Sequence, residues 1–108
     1  MEDRELLELA AKAAGIKADF VGGPEGMWSE ELDDYWNPLE DDGDALRLAV
    51  KLNLLVDVQI ACIDVLYTAQ DGVMRIQEGT DEPNPYAATR RAIVRAAAEI
   101  GKSLTTNN

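Results

Sequence analysis

Histidine is absent from this chain, and cysteine occurs once, at Cys62. Zinc sites built from several Cys and His ligands are therefore out of reach, and so is an intramolecular disulfide. Without histidine, the usual base for a serine or cysteine nucleophile is also missing. No apolar run approaches the roughly 20 residues of a membrane span. The opening Met1-Glu2-Asp3-Arg4-Glu5 is acidic where a secretory signal would be basic. These absences predict a cytosolic protein. At 108 residues the chain is short for two separate cores, which leaves one domain over residues 1–108.

Basic residues are missing from one stretch altogether. Between Asp19 and Asp44 there are ten acids and no Lys or Arg, so this segment holds nearly all of the net charge of −11. The rest of the chain is balanced, with Arg90, Arg91 and Arg95 clustered near its end. An acidic segment of this density repels nucleic-acid phosphates and is drawn to basic surfaces. It also contains Met27, Trp28, Leu32, Tyr35, Trp36 and Leu39, too much apolar surface for a bare linker. The arm over residues 22–42 is thus expected to pack in part and to present its carboxylates.

Helix and turn signals divide the remainder. Residues 3–14 are strong helix formers with acids at the start, and Gly15 supplies a stop. Residues 17–21 are compatible with a short strand before the Gly22-Gly23-Pro24 break. Asp42-Gly43-Asp44 reads as an acidic cap for a helix over residues 45–52, with Asn53 taking the left-handed stop. Val, Ile and Tyr enrichment predicts strands near 56–61 and 63–68, and Asp71-Gly72 predicts a tight turn into a returning strand over 73–78. Asn84-Pro85 marks a helix start, and that helix is expected to run to about Gly101 with Tyr86, Ile93, Ala97, Ile100 and Leu104 as its apolar stripe. Residues 103–108 read as a polar tail. The order implies an α+β fold, a small antiparallel sheet of three or four strands covered by three helices in an α-β-α sandwich.

Two stretches carry a family likeness. Trp36-Asn37-Pro38-Leu39 with the following Asp41-Asp42-Gly43-Asp44-Ala45-Leu46-Arg47-Leu48-Ala49, together with the run from Asn84-Pro85-Tyr86 to Glu99-Ile100-Gly101, resembles the phage ABA-sandwich domain proteins. The resemblance implies a bacteriophage origin, a sheet between helices and action in the cytoplasm of a bacterial host. It brings no catalytic residues with it. On this likeness the acidic arm before Trp36 is a variable insertion.

Chemistry-bearing patterns are weak by comparison. Glu40, Asp41, Asp42 and Asp44 suggest a divalent cation, but the spacing departs from a calcium-binding loop, and helix capping accounts for them. No pair of carboxylates stands out for acid/base work, Cys62 falls in an expected buried strand, and Gly22-Gly23-Pro24-Glu25-Gly26 lacks the Lys and the helix of a phosphate loop. No enzyme, metal or cofactor is expected. Trp36, beside Pro38, reads as a pin between arm and core. Trp28 and Tyr35, among carboxylates, read as interface anchors. A partner-binding set follows: Trp28, Glu30, Glu31, Asp33, Asp34, Tyr35, Glu40, Asp41 and Asp42, facing a host protein with a basic surface in the manner of a DNA mimic or anti-CRISPR-like inhibitor. In the alternative, Arg90, Arg91 and Arg95 hold a nucleotide signal or other phosphorylated small molecule, although pairing with Glu99 and other acids is the commoner use of such a helix face. A virion assembly module and a homodimer complete the expectations.

Overall fold

A computed structural model of the chain describes residues 2–20, 26–79 and 84–106. The Gly22-Gly23-Pro24 break, the start of the acidic arm, residues 80–83 and the last two residues of the expected tail lie outside the described residues. The elements run α1 (Asp3–Ala14), β1 (Asp19–Phe20), β2 (Met27–Ser29), β3 (Asp34–Trp36), α2 (Asp42–Lys51), β4 (Leu55–Val58), β5 (Cys62–Ala69), β6 (Gly72–Gly79) and α3 (Pro85–Thr106). The fold is α+β, with two antiparallel three-stranded sheets, β1-β2-β3 and β4-β5-β6, in place of one sheet of three or four strands. The acidic arm supplies β2 and β3 of the β1-β2-β3 sheet, and β1 falls within the short strand expected over residues 17–21.

Local chemistry explains the helix ends. At the close of α1, Gly15 takes φ +70°, its N–H donates to the Lys12 carbonyl at 3.2 Å, and the Ile16 N–H donates to the Ala11 carbonyl at 2.9 Å. That is a Schellman termination. The end of α2 repeats it with Asn53 at φ +55° and the Leu54 N–H reaching the Ala49 carbonyl at 2.9 Å. Asp41 caps the start of α2, accepting from the Asp44 N–H at 2.8 Å, so the helix begins before the expected Ala45. Asn84 accepts from the Ala87 N–H at 3.1 Å and opens α3.

Helix α3 does not stop near Gly101, and residues expected in a polar tail continue it to Thr106. Gly101 is used for close packing instead of termination, because a Cβ there would collide with the Leu9 carbonyl, whose carbon would stand 2.8 Å away. The expected stripe also changes. Ala92, Ile93, Val94, Ala96, Ala97 and Ala98 are all buried, whereas Tyr86 and Leu104 at the two ends are exposed. A helix buried on so many sides is a central element. It packs on the β4-β5-β6 sheet and also carries α1 and α2, so one helix, α3, is the main cover of that sheet.

The sheet register sorts its faces. Cross-strand pairs Val56 with Val65 and Val65 with Ile76 lie on the α3 side, as do Ile63 and Tyr67. The opposite face carries Leu55, Asp57, Cys62, Asp64, Leu66, Arg75 and Gln77. The tight turn sits one residue earlier than expected: Ala69 pairs with Gly72 across Gln70-Asp71, and the positive φ of 125° falls on Gly72. Among the described residues no helix is long and apolar enough to cross a membrane.

Tyr67 gives this core a pH dependence. Burial first, and the Glu99 carboxylate second, raise its phenol above the ordinary value of 10.0. The folded state therefore holds the proton more tightly than the unfolded chain does. The associated stability is complete below about pH 10 and is lost as pH rises through the folded value. Tyr67→Phe is expected to flatten the fall in urea midpoint as pH rises above about 10. An equally steep fall in the variant would assign that loss to other groups.

Candidate functional site

The acidic arm folds into a hairpin because two short alternating runs, Met27-Trp28-Ser29 and Asp34-Tyr35-Trp36, pair with Met27 opposite Trp36 and Trp28 opposite Tyr35. Met27 and Trp36 point inward and are buried, Trp36 to 3% exposure, so the hairpin is pinned to the core as its position beside Pro38 suggested. On the other face Trp28 and Tyr35 meet edge to face, with ring centroids 5.1 Å apart and planes at 75°. The turn is held from within. The buried Ser29 hydroxyl accepts from the Leu32 N–H at 3.3 Å, the Asp33 N–H donates to the Glu30 carbonyl at 3.3 Å, and Asp33 takes φ +54°. This geometry leaves Glu30, Glu31, Asp33 and Asp34 exposed around a fixed tip. None of the four forms an ion pair among the described residues.

The adjoining loop, residues 37–41, is equally well determined. The Asn37 carbonyl accepts from the Asp41 N–H at 2.8 Å, and its N–H donates to Asp44 Oδ2 at 2.9 Å. From α3, Arg90 donates through Nε to the Leu39 carbonyl at 2.8 Å and through Nη1 to Asp42 Oδ1 at 2.6 Å. Two of the nine expected partner-binding residues, Asp41 and Asp42, thus have structural duties as cap and clamp, although their side chains stay largely exposed. Asp44 is the buried hub, its side chain 13% exposed, joining the Asn37 N–H to Arg47 Nη2 at 2.7 Å. Asp44→Ala should cost about 2 kcal/mol of unfolding free energy, because it strands a part-buried N–H and ends a charge-assisted bond. Asp44→Asn should recover about half of that in the same urea titration, since an amide oxygen still accepts. Equal losses in the two variants would contradict the hub.

Hairpin and loop enclose two clefts. Asp34, Tyr35, Asn37, Glu40, Asp41, Asp44 and Arg47 line one of about 490 Å³. The second, about 370 Å³, lies along β3 at the edge of its sheet and is shared with Ala14, Ile16, Leu32 and Leu48. The structure therefore brings Asp34, Tyr35, Glu40 and Asp41 around one hollow. It also puts a residue there that sequence reasoning missed. Arg47 lies among the acids, and its guanidinium is held above the ordinary value chiefly by its hydrogen bond to Asp44, which works against desolvation and is helped by the charges of Asp44, Asp41 and Asp34. Only the i, i+3 spacing from Asp44 to Arg47 hinted at this pairing.

The arginines of α3 diverge. Arg90 is engaged by Leu39 and Asp42, with its side chain 14% exposed. Arg91 pairs with Asp3 at 3.2 Å, and Arg95 pairs with Glu78 and donates to the Gln77 carbonyl at 3.2 Å. Arg91 and Arg95 share a hollow with Glu78 and Glu99, and those two carboxylates oppose an anionic ligand. Cys62 lies in a strand, as expected, but is half-buried on the face away from α3, where its sulfur accepts from Gln77 Nε2 at 3.5 Å. Among the described residues no group of three or more Cys, Asp or Glu side chains is placed to hold a metal ion. Comparison of the chain with protein-family models, with curated proteins and with solved structures finds no match.

Proposed function

We propose that this chain is a non-enzymatic binding protein that docks its acidic hairpin and loop onto the basic, nucleic-acid-handling surface of a host protein. The observation that carries the reading is the tip itself: Glu30, Glu31, Asp33 and Asp34 are exposed and outside any ion pair among the described residues, on a hairpin fixed by buried Trp36 and Met27. Carboxylates spent on internal salt bridges would give a weak external field. These four give a strong one, and Trp28 and Tyr35 beside them supply the apolar contact that charge alone lacks. Held by a defined backbone, such charges can follow the spacing of phosphates on a nucleic acid and take its place in a basic groove.

The resemblance of residues 36–49 and 84–101 to phage ABA-sandwich domain proteins supports a phage accessory role, with the target in the cytoplasm of a bacterial host. A defence complex with a DNA- or RNA-binding groove is the kind of target that an anti-CRISPR-like DNA mimic would block. The test is capture from bacterial lysate on the immobilised protein at about 0.05 M and about 0.5 M salt, where screening lengths differ severalfold. Wild type should retain a basic nucleic-acid-binding protein at low salt only. The Glu30→Lys, Glu31→Lys, Asp33→Lys, Asp34→Lys variant should lose it, and retention by that variant would end the proposal.

A further inference from the structure

We infer that the 370 Å³ cavity along β3 seats an arginine side chain of the basic partner, an assignment that rests on the protein-binding reading above. The cavity is built in two halves. Ile16, Trp36 and Leu48 give it apolar walls, while Glu31 and Asp34 on the hairpin add two carboxylates that form no ion pair among the described residues. An aliphatic stem ending in a cation matches that division. Arginine fits better than lysine, because its planar head can bond a carboxylate through two N–H groups at once.

The cations already present do not fill this role. Arg47 pairs with Asp44 at 2.7 Å and with Asp41 at 3.8 Å; the Asp34 carboxylate acts on its charge from farther off but forms no ion pair with it. Lys51 also lines the cavity and opposes a second cation, which places the affinity of a single arginine in the weak range and makes Lys51 a test of sign. Glu30 and Asp33 belong to the same tip but do not line the cavity, so neutralising them changes net charge equally without touching it.

The experiment is a methyl-detected NMR titration with a blocked arginine, Nα-acetyl-arginine N-methylamide, and with the uncharged citrulline analogue. Saturable shifts are expected at Leu32 and Leu48 with arginine and none with citrulline. Glu31→Gln with Asp34→Asn should weaken binding about tenfold, whereas Glu30→Gln with Asp33→Asn should weaken it by less than about threefold, the effect of distant screened charge. Lys51→Gln should tighten it about twofold by removing a like charge. Equal responses to arginine and citrulline, or equal effects of the two double variants, would overturn the cavity assignment. If the four-lysine variant still loses its lysate partner in that event, the acidic-surface reading stands and only the arginine seat falls.

Discussion

Gly101→Ala is expected to destabilise the protein by about 3 kcal/mol, the reverse of the usual outcome for glycine inside a helix. On propensity alone the substitution should stabilise by about 1 kcal/mol, since alanine loses less conformational freedom on folding. Packing decides otherwise. The added Cβ would meet the Leu9 carbonyl, a backbone group that cannot rotate away, so α1 and α3 would have to separate. Buried Ala10, Ala11, Ala14, Ala97 and Ala98 show that these two helices, which meet extensively, are built from small side chains. Forcing them apart loosens many contacts at once, and about 3 kcal/mol is a large share of the 5–15 kcal/mol that holds a typical domain together. A urea midpoint lower than wild type, with unchanged slope, is the expected result. A higher midpoint would mean that the helices do not cross at Gly101.

Trp36→Ala should cost about 4 kcal/mol, in the range for truncating a buried tryptophan. This side chain joins the acidic hairpin to the core cluster, where it is 3% exposed beside Met27 and Leu48. Its removal opens a void and releases the strand that carries Asp34 and Tyr35. Trp28→Ala provides the comparison, since that ring lies on the outward face against Tyr35 and should cost only about 1 kcal/mol. The two variants separate folding from docking: the first should lower the unfolding midpoint, and the second should chiefly weaken partner capture. Similar midpoints for both would contradict the inward and outward assignment of the hairpin faces.

The helices were legible because their signals are local. Gly15, Asn53 and Asn84-Pro85 act within a turn of where they stand, and the structure uses each of them as expected. Gly101 misled for the same reason. A stop and a close crossing both select glycine, and only the position of Leu9, far away in sequence, distinguishes them. The hairpin of the acidic arm escaped notice because its strands are three residues long and the acids around them hide a period-two pattern. Its exposed tip residues were nevertheless named from charge alone. What could not be read was how the carboxylates divide: Asp41 into a cap, Asp42 into a clamp with Arg90 across 48 residues, and Asp44 into a buried hub with Arg47. Only the Asp42–Arg90 clamp is a tertiary fact with no local trace; the other two span three residues each, and the sequence showed the spacing without showing which acid would take which duty.

The most direct test of the central claim is displacement from immobilised duplex DNA. Bacterial DNA-binding proteins are loaded on DNA-cellulose at low salt, and the purified protein is added at rising concentration. Specific release of one or a few basic proteins by wild type, with release by the four-lysine variant reduced about a hundredfold, is the predicted result. Release of nothing by wild type, or equal release by the two proteins, would contradict an acidic surface that takes the place of nucleic acid.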